Sequence, residues 1–239
     1  MRSPIRAGGR AGLTLALVVT ALLAGSVSRF HSAAPTTSVI AAPAWFPDPA
    51  PSTGPRALIE PGLGLRSGPV VLPLEVQIPR LMLAADVVGV GITDHDAMDA
   101  PMGPPGDPVW HQVFWYRGSA VPGARSTAVI AGHVDGGGAP AAFAHLDRLQ
   151  PGDPIFVHDT RDGSTMRFTV RGSQSIPLDE ATGATALARI YGVGPVAGTR
   201  PQASLDGLAH LTLITCSGTF RDGTHDHRFV VDAIRTDST

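Results

Sequence analysis

Apolar residues come in short runs bounded by Gly, Pro and Asp over most of this chain, and their spacing suits strands more often than helices. Residues 71–78 and 81–92 are β-rich apolar runs divided by Pro79-Arg80, and 93–108 is a loop carrying Asp94, Asp96, Asp99 and Asp107. The stretch 109–116 is short and aromatic, ends in Arg117-Gly118, and is followed by a turn at Val121-Pro122-Gly123. Residues 127–131 predict a buried strand that runs into Gly132-His133-Val134-Asp135-Gly136-Gly137-Gly138. Within 141–149, Ala142, Phe143, Leu146 and Leu149 fall at helical spacing, and Pro151-Gly152-Asp153 turns the chain into a strand over 154–158. Arg161-Asp162-Gly163-Ser164 is a hairpin signal leading to a strand over 166–170. A long irregular connection, 176–200, has one helical turn over 184–191, and two strands, 210–215 and 228–234, close the chain. Many short strands with few helical segments predict an all-β sandwich or barrel.

The first 70 residues break this pattern. Arg2, Arg6 and Arg10 precede an uncharged apolar run over 11–27, which reads as an export signal. The positive-inside rule places the arginines in the cytoplasm and the rest outside. The run is long enough for an uncleaved single-pass membrane anchor, with cleaved secretion as the alternative. From 31 to 70 the chain is rich in Pro, Ala, Ser, Thr and Gly, a semi-extended spacer. We therefore divide the chain into an N-terminal signal or anchor over 1–30, a linker over 31–70 and a folded domain over 71–239. A net charge of −2 leaves no electrostatic footprint for nucleic acid. No phosphate-cradling loop and no cysteine pair is present, so no cofactor or metal is expected.

Chemistry concentrates around the one cysteine, Cys216. The predicted strand over 210–215 delivers it to a loop, where Ser217-Gly218 lets the backbone turn away. A single cysteine outside the cell cannot form an internal disulfide, so it is either an inert packed thiol or one kept for reactivity. A thiol near its ordinary pKa is mostly protonated at neutral pH and needs a base or a positive partner to act as a nucleophile. Of the nine histidines, His133 is the strongest candidate base, because it follows a buried strand and is flanked by glycines that permit close approach of a substrate backbone. Arg228 heads the strand after Cys216, and a hairpin between the two strands would return its guanidinium to the sulfur as an oxyanion donor. Arg221, nearer in sequence but in the loop, is the alternative. His225-Asp226-His227 could instead bind a metal or change which arginine faces the sulfur.

Taken together, Ala131-Gly-His-Val-Asp135, Thr212-Leu-Ile-Thr-Cys216 and His227-Arg228-Phe-Val-Val231 resemble the sortases of Gram-positive bacteria, most of all the actinobacterial class E and F group. Trp115-Tyr116-Arg117-Gly118, the run 143–149 before Pro151-Gly152-Asp153, and Phe168-Thr-Val170 add to the likeness, which spans roughly 72–234. The resemblance implies an eight-stranded sortase-type β-barrel with short helices in its connections. It implies a cysteine transpeptidase held outside the cell membrane that cleaves a Leu-Pro-x-Thr-Gly-like C-terminal sorting signal. The acyl group is held as a thioester and passed to an amine, such as a cell-wall peptide or a pilin lysine. By position Cys216 would be the nucleophile, His133 the acid and base, and Arg228 the oxyanion and substrate ligand, with Thr215 and Ala131 contacting substrate. The chain departs from the family at Met82-Leu83, where relatives usually carry a glycine-containing turn. A secreted cysteine peptidase that only hydrolyses, and a non-catalytic extracellular β-domain, are the competing readings.

Overall fold

The computed structural model describes residues 58–59, 63–95, 97–192 and 201–237. Eight strands, β1 (Val70–Ile78), β2 (Leu83–Val90), β3 (Val113–Tyr116), β4 (Thr127–Gly132), β5 (Pro154–Asp159), β6 (Thr165–Pro177), β7 (His210–Arg221) and β8 (Thr224–Arg235), form one sheet. It closes on itself in the order β1-β2-β3-β4-β7-β8-β6-β5. The pairs β2–β3 and β4–β7 are parallel, and the others are antiparallel. Closure removes exposed strand edges, and alternate side chains fill the interior. Leu211 and Leu213 of β7, Val231 and Ala233 of β8, Ile130 of β4 and Trp115 of β3 lie in that interior with almost no exposure. The Trp115 indole donates to the Ala120 carbonyl at 2.9 Å, so the large ring is buried with its polar atom satisfied.

The intervening residues face outward but are not all in water. Tyr116, Val129, Ile214, Ile176 and Val230 form a second apolar cluster on the outer wall, and the helix α1 (Ala184–Tyr191) lays Ala186 and Ile190 against it. This helix lies where the sequence predicts a helical turn. A third cluster, Val88, Val90 and Phe114, is covered by Met98, Ala100, Val109 and Ala131.

Several boundaries differ from the sequence reading. The helical spacing over 141–149 yields successive turns and a single 3-10 turn, Leu146–Arg148, because the apolar side chains plug one end of the barrel instead of forming a helix face. Strand β6 runs on to Pro177, pairing with β8 up to His227 through residues expected to be irregular. Strands β7 and β8 are longer than expected and meet in a two-residue turn, Asp222-Gly223, both with positive φ (51° and 84°), the conformation that Asp-Gly hairpins favour. Leu58 and Ile59, within the stretch read as linker, pack against the core, and the Leu65 carbonyl accepts from Ile92 N–H at 2.9 Å. Met82 stands at φ 51°, a left-handed position where glycine would be at ease. The apolar run 11–27 lies outside the described residues, and among those described no helix is long and apolar enough to cross a membrane.

Candidate active site

Cys216 and Arg228 are directly opposite each other across the β7–β8 pair. Opposed residues share a face of the sheet with Cβ atoms about 5 Å apart, so the hairpin itself sets thiol and guanidinium side by side. The alternation along β7 puts them on the outer wall: Leu213 points into the barrel, while Ile214 joins the outer cluster, and Cys216 follows Ile214 at the same parity. Likewise Arg228 follows the outward Val230. Both residues are half-buried, and Cys216 is a free thiol. Arg221 pairs with Thr224 at the tip of the hairpin and is exposed. It lies five positions beyond Cys216, about 16 Å along a strand.

Arg228 is held by its own hairpin. Its Nη1 donates to the His225 carbonyl at 3.2 Å and to the His227 carbonyl at 3.0 Å, and among the described residues no carboxylate pairs with it. A guanidinium anchored through one nitrogen keeps donors in reserve for an incoming anion.

His133 reaches the same wall from the neighbouring strand. In the parallel pairing of β4 with β7, Ala131 stands opposite Ile214; His133 follows directly after the end of β4, two positions beyond Ala131, as Cys216 is two positions beyond Ile214. Thr215 keeps these strand ends together: it is buried, with the parity of the inward Leu213, and its hydroxyl donates to the Gly132 carbonyl at 2.8 Å. The His133 ring sits edge-on to Trp110 (centroids 4.8 Å apart) and to Phe114 (5.2 Å). Its Nε2 lies 2.8 Å from the Pro101 carbonyl. A carbonyl only accepts, so this bond puts a hydrogen on Nε2 and leaves Nδ1 as the nitrogen able to take up and release a proton. Ala131 lies half-buried on the outer wall against the Phe114 cluster.

The residues that hold His133 were missed in the sequence, where 93–108 was only an acidic loop. A signal was present: Asp107-Pro108 opens the 3-10 turn Pro108–His111, with the Asp107 side chain accepting from Val109 N–H at 2.9 Å. That turn presents Trp110 to His133 and to Gly136, where a Cβ would come within 2.5 Å of the indole.

Beyond Cys216 the strand bulges. Ser217 pairs with His227 and Phe220 with His225, so Gly218 and Thr219 face the single residue Asp226. Gly218 adopts φ 79°, the arrangement of a glycine-led bulge, which strengthens local twist and re-aims the hairpin. The Asp226 carboxylate accepts from the His227 ring at 2.7 Å and from Thr219 N–H at 2.8 Å, and these bonds, the first above all, hold it below the usual carboxylate range. Asp226 and His227 are thus engaged with each other within the hairpin, and among the described residues no group of three or more His, Cys, Asp or Glu could hold a metal ion.

The profile of the Sortase domain matches residues 76–236. Among solved structures, a lid mutant of sortase A from Corynebacterium diphtheriae is similar at 21% identity and a TM-score of 0.48, covering 73% of this chain and 74% of that one. Sortase C-1 from Actinomyces oris is similar at 18% identity and a TM-score of 0.47, covering 69% and 74%. Sortase C-1 from Streptococcus pneumoniae is similar at 20% identity and a TM-score of 0.46, covering 69% and 67%. No curated protein matches the chain.

Proposed function

The chain belongs to the sortase family, and from that premise we propose that Cys216, His133 and Arg228 carry out transpeptidation on a Leu-Pro-x-Thr-Gly-like sorting signal. The observation that supports this most is the direct opposition of Cys216 and Arg228 on the outer wall, with His133 at the matching register of β4. The Cys216 Sγ attacks the threonine carbonyl of the signal, and the oxygen that becomes negative is met by the Arg228 guanidinium. The C–N bond breaks, the leaving glycine amine takes its proton from His133, and the acyl group stays on sulfur as a thioester. An incoming amine then loses its proton to His133 Nδ1, attacks the thioester carbonyl and releases Cys216.

The groove for the signal is the outer wall leading to Cys216, where the half-buried Ile214 and Ala131 line the approach, while Val129 and Val230 lie buried beneath α1. Thr215 serves as a positioning residue, since its hydroxyl is already bonded to the Gly132 carbonyl. We place the chain with the class E and F group on Gly132-His133-Val134-Asp135 and Leu213-Ile-Thr-Cys216. Sortases work at the cell envelope. Here residues 1–30 serve as an anchor and the Pro- and Ala-rich stretch from 31 to the residues before Leu58 as a tether, both proposals resting on composition, since Leu58 and Ile59 already pack against the core. The acceptor is a cell-wall peptide amine or a pilin lysine.

The test is a fluorogenic Leu-Pro-x-Thr-Gly or Leu-Ala-x-Thr-Gly peptide with and without an amine. Transfer product supports the reading, while hydrolysis alone or no cleavage refutes it. Arg228→Ala loses at least about 100-fold in rate while Arg221→Ala stays close to wild type. A loss confined to Arg221→Ala would reverse the assignment.

A further inference from the structure

Two residues outside the proposed catalytic trio tie its two halves together. Asp135 follows His133 by two positions, in the loop after β4, and His225 precedes Arg228 by three, in β8. The His225 Nε2–H donates to Asp135 Oδ2 at 3.3 Å, a contact spanning 90 residues of sequence. The imidazole is fixed on its other sides: the Phe220 ring packs edge-on with centroids 5.1 Å apart, and the Gly218 carbonyl lies 3.5 Å from Nδ1. The side chain is only 15% exposed, although it belongs to a hairpin that otherwise projects from the barrel. Its main-chain carbonyl is one of the two acceptors that hold the Arg228 Nη1.

At the other end, the Asp135 loop is closed locally. Asp135 bridges to Pro140, Gly136 N–H donates to the Ala139 carbonyl at 2.7 Å, and Phe143 N–H donates to the His133 carbonyl at 3.0 Å. A pull on Asp135 is therefore transmitted to the His133 backbone, and a pull on His225 to the Arg228 guanidinium. β4 and β8 share no hydrogen bonds, being separated by β7. Beyond the end of the β4–β7 ladder, this side-chain contact spans from the His133 loop to the arginine hairpin.

We propose that Asp135 and His225 are positioning residues, a clasp that fixes the distance between the acid–base histidine and the oxyanion-binding arginine. The inference rests on the transpeptidase reading above. Reacting groups must be held within a narrow range, and a displacement near 1 Å costs up to about 100-fold in rate. A single 3.3 Å contact whose Asp135 carboxylate is half exposed adds little to global stability, so its effect falls on rate and leaves unfolding nearly unchanged.

The experiment uses the full-length protein, the fluorogenic peptide and an amine, with Asp135→Ala, His225→Ala, the double variant, Asp135→Asn and His225→Gln. Each alanine variant should lose about tenfold in kcat with KM nearly unchanged, and the double variant should lose the same tenfold, because the second change removes a partner already without its bond. Asp135→Asn keeps an acceptor oxygen and His225→Gln keeps a donor N–H, so both should stay within about threefold of wild type. Thermal midpoints report folding throughout. Losses that multiply in the double variant, amide variants as poor as alanine, or alanine variants equal to wild type would overturn the clasp. A wild-type protein that forms no acyl-enzyme would overturn the transpeptidase reading itself, a separate outcome seen before any variant is compared.

Discussion

Replacing Gly218 with alanine should damage the hairpin behind Cys216 far more than the same change at Gly223, five residues away at its tip. Both glycines have positive φ, 79° and 84°, where an L-residue with a Cβ is strained by roughly 1–2 kcal/mol. They differ in their surroundings. A Cβ on Gly223 meets nothing within 4 Å, whereas one on Gly218 would lie 2.0 Å from Asp226 Oδ1 and 2.7 Å from His227 Nδ1. Real Cβ atoms do not approach so closely, so the Asp226 carboxylate has to leave the place from which it caps Thr219 N–H. Forcing a methyl group into such a site costs about 1–3 kcal/mol beyond the strain. The sum for Gly218→Ala is about 2–5 kcal/mol, and for Gly223→Ala, with strain alone, about 1–2 kcal/mol. For a domain of this size that converts to drops of roughly 4–20 °C and 2–8 °C in thermal midpoint. Differential scanning calorimetry on both variants measures the contrast. Because Gly218 follows Cys216 by two positions, Gly218→Ala should also slow transpeptidation at temperatures where it is fully folded, while Gly223→Ala should not. Equal midpoints for the two variants would refute the steric argument, and a folded Gly218→Ala domain with full activity would refute the link between bulge and site.

Met82 is 76% exposed at φ 51°, so Met82→Gly should raise stability by about 0.5–1 kcal/mol, measured by urea unfolding. Hydrogen bonds from the His210 ring and then from Leu208 N–H depress the Asp206 carboxyl from 3.8 to about 2. A folded-state pKa below the unfolded one stabilises above the unfolded value and loses that contribution as pH falls through the folded value. The gap in thermal midpoint between wild type and Asp206→Asn should therefore be full at pH 5–7 and shrink between pH 3.8 and about 2. Burial pushes the Tyr191 hydroxyl up to about 12, so ultraviolet titration should show a phenolate transition there that Tyr191→Phe removes. The same raised value means that stability falls as pH rises from 10.0 towards about 12.

The all-β class and the helical turn over 184–191 were legible because short apolar runs bounded by turn residues carry their own signal, while the count of eight strands came with the resemblance. The reach of β7 and β8 was not, because 216–227 is polar and its pairing is set by a bulge and an Asp-Gly turn instead of by burial. The Asp222-Gly223 dipeptide was a readable hairpin signal, and it decides which arginine faces Cys216. The segment 141–149 misled in the opposite way: residues plugging a barrel end are apolar at irregular spacing that happens to match a helix. Thr215, implied as a substrate contact by the resemblance, shows how alternation separates neighbours, since one residue's shift along β7 turns a side chain from the outer wall to the interior. The Pro101 carbonyl beside His133 was beyond sequence reading, because a backbone group leaves no trace in residue type.

Transpeptidation through a thioester requires Cys216 to carry an acyl group between cleavage and transfer. Intact-protein mass spectrometry of the domain mixed with a Leu-Pro-x-Thr-Gly or Leu-Ala-x-Thr-Gly peptide tests this directly. The predicted result is a mass increase equal to the acyl fragment, mapped to Cys216, discharged on adding an amine and absent from Cys216→Ala. Peptide turnover retained by Cys216→Ala, or an adduct on any other residue, would contradict it.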